Sequence, residues 1–360
     1  MTNVVHLTFP SRARSRGDRL AALTASFAAE RRQDDDVFWL KENAELLNIL
    51  ECTGAAPGPD ALETHAAFYE RVEKRIAFFP QYYRFLLSIT LDLEDLGMPG
   101  SKGERLTRWA AAQGLAEAEL SDLQRAEARR LMARRGVAVA DDGLTERLLA
   151  FISRPETFAM PNKKAAYELT HTIFYLTEYG RRRFAFGAQV ERSLTYAGTL
   201  AFLDRNADLL AEICVAMRQA GMRPPARWDD WIAEHTADFF LADTELAEPE
   251  RDDYHEFLVC NWARAAAGAT PFAAPQPIGR VSFHARRTAA APLRQMSQLM
   301  LDLDDARSGD WALMRPTVAN ALDAEGYGIL QEAEAACSDF DGFFAGFARA
   351  GQSIPMGIPA

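Results

Sequence analysis

The sequence predicts an all-α fold: a multi-helix array, bundle or α/α-toroid of roughly a dozen helices with little or no sheet. In nearly every readable segment, apolar residues recur with the 3.6-residue period of a helix. Ala, Leu, Glu and Arg dominate these segments, and all four are good helix formers. The period-two alternation that is typical of strands is almost absent.

The same periodicity places the individual helices. Breaks rich in Gly and Pro, such as 54–59 and 97–100, separate them, and the Pro-rich stretch 270–281 is the longest predicted loop. A short extended segment is expected at 281–287. The predicted helices span 16–32, 36–53, 60–78, 80–96, 102–114, 117–135, 142–153, 162–180, 188–221 (with a break), 226–240, 250–268, 289–305 and 327–350.

The chain divides into a short arm and two helical halves. Residues 1–15 are expected to form a flexible basic arm that begins the arginine-rich N-terminus. A charged helical stretch ends near 134–143, which indicates a join there. We therefore predict an N-terminal helical half at 16–155 and a C-terminal half at 156–360, packed tightly enough on the first to form one domain.

Composition narrows the class of protein. The 360 residues include 48% apolar and 25% charged side chains, which is typical of a folded globular chain. The net charge of −11 argues against a nucleic-acid partner. No apolar stretch approaches the roughly 18 residues that span a bilayer. Four scattered cysteines without C-x-x-C spacing favour reduced thiols, so a cytoplasmic protein is expected. The Ala- and Arg-rich composition suggests a bacterial gene.

The segment YELTHTIFY at 167–175 lies on the helix predicted at 162–180. One side of that helix is apolar, and the other holds Glu168, His171 and Tyr175, with Tyr167 beside them. Aromatic rings are unfavourable on a solvent-facing side, so the helix is expected to be enclosed on both sides. Tyr167 and Tyr175 are therefore candidate pocket-lining residues, together with Trp262 of a later helix.

Glu168 and His171 have the E-x-x-H spacing that projects both side chains from one face. Ferritin-like di-iron and di-manganese proteins use this spacing, because carboxylate and imidazole ligands suit Fe, Mn and Zn. A single E-x-x-H also occurs by chance in helix-rich chains. The alternative interpretation is a buried histidine that bonds a glutamate for structural reasons.

Two further segments could complete such a metal site. Asp252 and His255 share a helix face with apolar residues, although an Asp near a helix N-terminus beside a core histidine explains the same pattern. Asp204, Asp208 and Glu212 form an i, i+4, i+8 stripe that is typical of a solvated face. If that helix is enclosed, Asp208 and Glu212 become bridging carboxylates. The candidate ligands for Fe, Mn or Zn are Glu168, His171, Asp252, His255, Asp208 and Glu212.

Motifs of several enzyme classes are absent. The sequence contains no G-x-G-x-x-G after a strand, no P-loop, no G-x-S-x-G and no H-E-x-x-H. The stretch 121–136 carries several arginines on one side, which fits either a solvated face or a surface for an acidic partner. The acidic segment LDLEDLG at 91–97 is expected to cap a turn, although its Asp92 and Asp95 could meet a cation.

Three blocks carry a resemblance to known sequences: DVFWLKENAELLNILECTG at 36–54, FFPQYYRFLLSITLDLEDLGMPG at 78–100, and YELTHTIFY. Together they resemble an uncharacterised, all-helical alphaproteobacterial family that is classed as a domain of unknown function. The resemblance covers most of the chain. It implies an all-α fold and a bacterial cytoplasm, and it brings no known activity. The YELTH-type helix is also similar to a second uncharacterised helical family, from actinobacteria.

Three functional hypotheses remain. In the first, the protein has no chemistry and binds a protein partner or a small molecule in a helical groove. In the second, it is a metal-binding helical enzyme that uses an inward-facing His and carboxylate cluster. In the third, it is an α/α-toroid enzyme whose inner His and Glu serve as acid and base.

Overall fold

The computed structural model describes residues 12–13, 15–55, 57–140, 142–243, 252–286 and 291–351. The all-α prediction is confirmed, because 67% of the structure is helical and the sheets are short and two-stranded. None of the described helices is both long enough and apolar enough to cross a membrane.

The chain forms two compact units, and each is built from two separate stretches of sequence. The first contains residues 1–140 and 235–286, and the second contains 141–234 and 287–360. The predicted boundary at 155/156 therefore falls within the second unit. Most of the predicted arm, 1–11 and residue 14, lies outside the described residues, while Arg12–Ala13 forms a strand.

The first unit combines helices with two small antiparallel sheets. Strand β1 (Arg12–Ala13) pairs with β3 (Gln276–Pro277), and β2 (Phe240–Asp243) pairs with β4 (Val281–His284). Strand β4 confirms the extended segment predicted near 281–287. The helices of this unit are α1 (Arg16–Ala25), α2 (Val37–Cys52), α3 (Pro59–Leu62), α4 (Ala66–Phe78), α5 (Tyr83–Asp95), α6 (Lys102–Ala112), α7 (Asp122–Ala133) and α14 (Tyr254–Ala266).

Helix α2 is central to the first unit. Ten of its sixteen residues are buried, because it packs against both α5 and α14. Two of its buried polar side chains bond backbone carbonyls: the Trp39 indole N–H donates to the Ala28 carbonyl at 2.9 Å, and the Asn43 amide donates to the Phe27 carbonyl at 2.9 Å. A helix that is apolar on most sides is expected in a core rather than on a surface.

The acidic segment 91–97 and the arginines that end α7 pair with each other. Arg134 donates to Asp92 at 2.7 Å and to Asp95 at 2.6 Å, and Arg135 donates to Glu94 at 3.1 Å. The cation that meets Asp92 and Asp95 is thus a guanidinium of the same unit. Because Asp92 is fully buried, this contact is a structural ion pair.

The described residues of the second unit form helices and the loops between them, with no strand. Helix α13 (Ala226–Ala237) begins in it, and the last residues of that helix, from His235, belong to the first unit. The helices of this unit are α8 (Leu144–Ile152), α9 (Pro155–Phe158), α10 (Lys163–Leu176), α11 (Ala188–Leu203), α12 (Ala207–Gln219), α13 (Ala226–Ala237), α15 (Pro292–Leu303), α16 (Trp311–Ala321), α17 (Ala324–Ala336) and α18 (Phe340–Ala348).

The break predicted within 188–221 falls between α11 and α12. Arg205 has a positive φ of 50°, which a helix does not allow, and the Asn206 side chain accepts a hydrogen bond from the Leu209 amide as the cap of α12. The predicted three-carboxylate stripe is therefore wrong. Asp204 ends α11, whereas Asp208 and Glu212 lie on α12 one turn apart.

Candidate metal-binding site

Helix α10 carries the histidine that the sequence singles out. Its start is fixed by Asn162, whose side chain accepts a hydrogen bond from the Ala165 amide at 3.1 Å. Nine of its fourteen residues are buried, and they include Leu169 and Ile173 on one side and Tyr175 on the other. The predicted enclosure on both sides is confirmed, and His171 lies at the edge of the buried part.

His171 is oriented by its own helix. Its Nδ1 lies 2.8 Å from the Tyr167 carbonyl oxygen, which can only accept a hydrogen bond, so Nδ1 carries the proton. In the neutral ring the lone pair is then on Nε2. The rings of Phe174 and Tyr175 lie 5.7 and 5.9 Å from the imidazole, centroid to centroid. This is the arrangement that metal-binding histidines use, with the second nitrogen fixed by a carbonyl.

Helix α12 supplies the carboxylates. Glu212 is only 2% exposed and accepts a hydrogen bond of 2.6 Å from the Thr170 hydroxyl. Asp208, one turn earlier, accepts a hydrogen bond of 2.7 Å from the Tyr167 hydroxyl. One carboxylate oxygen of Asp208 lies within 4.8 Å of one of Glu212. Two side chains of α10 thus orient two carboxylates of α12.

The carboxylate beside His171 comes from another helix. Glu212 Oε2 lies 3.6 Å from His171 Nδ1. Glu168, which the E-x-x-H spacing pairs with His171, is partly exposed on the same helix. The i, i+3 spacing predicted Glu168 as the carboxylate beside His171, whereas the packing of α10 against α12 brings Glu212 to His171.

The carboxylates of Asp208 and Glu212 and the imidazole of His171 can bind either a metal ion or a proton. Hydroxyl groups hold both carboxylates, as outer-shell partners do in metal sites. Carboxylate oxygens with imidazole nitrogen are ligands for Fe, Mn and Zn. Cys214 also lies on α12, but it follows Glu212 by two residues, so its side chain leaves the helix about 200° away from that of Glu212 and does not join the set.

Asp252, in the first unit, has partners that are not metal ions. One of its oxygens lies 2.8 Å from the Arg31 guanidinium, and the other accepts a hydrogen bond from the Phe283 amide at 3.2 Å. Arg31 also bonds the buried Glu42 at 2.9 Å. The Arg31 guanidinium therefore joins two carboxylates that are far apart in sequence.

His255 and its neighbours in the first unit form two His–Glu pairs that the sequence does not reveal. His255 Nδ1 donates to Glu45 at 3.1 Å, and His235 Nε2 donates to Glu256 at 2.6 Å. No spacing could have indicated these pairs, because their members lie on different helices. Trp262, a predicted pocket-lining residue, is buried in the same helix as His255.

These observations define a class of protein: a mainly helical chain with a cluster of histidine and carboxylate side chains in its second unit. The chain belongs to the family described as Domain of unknown function (DUF6902), whose model matches residues 1–350. This match confirms the predicted resemblance to a domain of unknown function; the alphaproteobacterial origin stays a prediction. No curated protein and no solved structure gives a significant match.

Proposed function

We propose that the protein binds a divalent transition metal ion in its second unit, with Asp208 and Glu212 as carboxylate ligands and His171 as the imidazole. The observation that carries this proposal is the pair of carboxylates on α12, whose oxygens approach within 4.8 Å and are hydrogen-bonded by Tyr167 and Thr170. Two anionic groups at this separation attract a cation.

The donor types select the metal. Two hard carboxylate oxygens and one imidazole favour Zn, Mn or Fe(II) over Cu(I), which prefers thiolates and thioethers. His171 suits the ligand role because the Tyr167 carbonyl holds its Nδ1–H, which leaves the lone pair of the neutral ring on Nε2. If water occupies a coordination position, the bound metal ion can catalyse hydrolytic or redox reactions. Enzymatic activity is therefore part of this proposal.

The other predicted ligands enter the proposal differently. Asp252 is left out, because a guanidinium and a backbone amide already contact its two oxygens. Glu168 and His255 stay candidate ligands. Substituting each of them while metal content is measured decides their role.

The test is elemental analysis of the purified full-length chain, before and after incubation with Zn²⁺, Mn²⁺ or Fe²⁺. We expect about one bound equivalent. The Glu212→Gln and Asp208→Asn variants should lose most of it, because each replaces an anionic ligand with a neutral amide. His171→Ala should weaken binding by more than the about 10- to 100-fold that follows the loss of an outer-shell partner, because it removes a ligand.

The matched control is Asp204→Asn. It removes a carboxylate four residues before Asp208, at the end of α11, where the side chain pairs with Lys163 at 2.8 Å. Metal content should not change in this variant. Circular dichroism confirms that each variant is folded. A wild-type chain that binds none of the three ions, or equal binding by Glu212→Gln, would contradict the proposal.

Binding of a small molecule is a second candidate function, and a separate observation favours it. The second unit contains an apolar cavity of about 110 Å³ between α9, α10 and α11.

We also propose a bacterial cytoplasmic location. The four free cysteines support the cytoplasmic part of this proposal, because cytosolic thiols stay reduced.

A further inference from the structure

We infer that this cavity binds a small monocarboxylic acid with a branched or cyclic apolar body. The inference rests on the second candidate function, names its ligand class and does not depend on a metal. The walls are apolar side chains, among them Phe158, Leu200 and Leu209, and the charged side chains Lys163 and Asp204 lie where the cavity opens. An apolar pocket with a few convergent polar groups is the usual form of a small-molecule site.

The cavity is open because three of the residues that line it are alanines, which have small side chains. Ala166, Ala197 and Ala201 line the cavity and are all buried. Dry apolar cavities of about 150 Å³ accept benzene, so a cavity of about 110 Å³ suits a body of roughly four to six carbon atoms.

The charged groups at the opening of the cavity favour a ligand of one charge. Lys163 is 63% exposed and pairs with Asp204 at 2.8 Å, and exposed ion pairs of this kind are weak enough to exchange partners. Lys163 is also the first residue of α10, and the N-terminal end of a helix favours an anion. A carboxylate can therefore bind the Lys163 ammonium while the apolar body fills the cavity behind it.

Titration calorimetry with three isosteric probes tests the inference on the full-length chain. The probes are 3-methylbutanoate, the neutral 3-methylbutanamide and the cationic 3-methylbutylamine. We expect the carboxylate to bind at least about tenfold more tightly than the amide, and the amine not to bind. Lys163→Met should remove the preference for the carboxylate. The matched control Lys164→Met, which changes the next lysine outside the cavity lining, should keep it.

Variants that fill the cavity locate the site. Ala201→Leu should abolish binding of the carboxylate, and Ala197→Val gives a smaller change if the leucine prevents folding. No binding of any probe would overturn the inference, as would equal binding of acid and amide. Tighter binding of the amine, lost in Asp204→Asn, would overturn it in favour of a cationic ligand. Metal content measured on the same samples separates this result from the metal proposal.

Discussion

At the scale of single residues, the clearest case of tertiary control is His65 in the first unit. Its Nε2 lies 2.8 Å from the Asn43 side-chain oxygen, while the Asn43 amide group donates to two backbone carbonyls. The Asn43 oxygen therefore accepts, and Nε2 carries the proton. Burial lowers the pKa of His65 to about 4, because charging the ring in the core is unfavourable.

We predict that His65 makes the protein less stable as the pH falls from about 6.5 to about 4. The pKa in the folded state is lower than in the unfolded state, so the unfolded chain binds more protons in this window and gains stability relative to the folded chain. The full effect is about 3 kcal/mol. Urea unfolding at a series of pH values measures it.

The control for this prediction is His65→Gln, which offers an amide donor to Asn43 but does not titrate. Its free energy of unfolding should change less steeply than that of the wild type between pH 6.5 and 4. Parallel pH profiles for the two proteins would show that His65 is not responsible.

At the scale of elements, a close approach between two helices explains a glycine within α11. A Cβ at Gly198 would lie 2.3 Å from ring atoms of Trp228 on α13. Trp228 is fully buried, so its ring cannot move aside into solvent. Gly198 thus allows the indole to pack against the backbone of α11, at the cost of the lower helix propensity of glycine.

We predict opposite effects for Gly→Ala at two helical positions. Gly198→Ala should destabilise the protein by about 1–3 kcal/mol, because the added methyl group overpacks the core against Trp228. Gly328→Ala on α17 should stabilise it by about 0.5–1 kcal/mol, because a Cβ there meets no atom within 4 Å and alanine is the better helix former. Denaturant unfolding of both variants measures the difference. A stabilising Gly198→Ala would mean that the Trp228 contact is absent in solution.

At the scale of the whole chain, the first unit is completed by a segment that returns from far along the sequence. Helix α14 packs on α2, strand β3 pairs with β1, and Asp252 pairs with the buried Arg31. Without residues 235–286, the face of α2 that α14 covers would be exposed. The buried Arg31 would also lose its contact with Asp252, and an incompletely paired buried charge is strongly destabilising.

We therefore predict that cutting the chain at the predicted boundary yields two fragments that do not fold alone. Fragment 1–155 lacks α14 and the strands β2, β3 and β4, and fragment 156–360 lacks α8 of the second unit. Neither should unfold cooperatively in urea when followed by circular dichroism. The two fragments produced together should recover the cooperative transition. Cooperative unfolding of 1–155 by itself would contradict the observed division.

The sequence by itself predicted most of the helices, including those that carry the candidate site, but it missed α16 and joined α17 and α18 into one helix at 327–350. Helical periodicity and helix-forming residues predicted the all-α fold, and the aromatic residues around His171 correctly predicted a helix enclosed on both sides. It also marked Asp208 and Glu212 as carboxylates that would matter if α12 were enclosed, and Glu212 is buried.

Only the tertiary structure decided which residues meet. The neighbour of His171 is Glu212 rather than Glu168, and Asp252 is paired with Arg31, in each case through contacts between helices. The return of residues 235–286 to the first unit is likewise a long-range event. Periodicity reports which face of a helix is apolar, but it does not report which other helix that face will contact, because packing depends on shapes and charges distant in sequence.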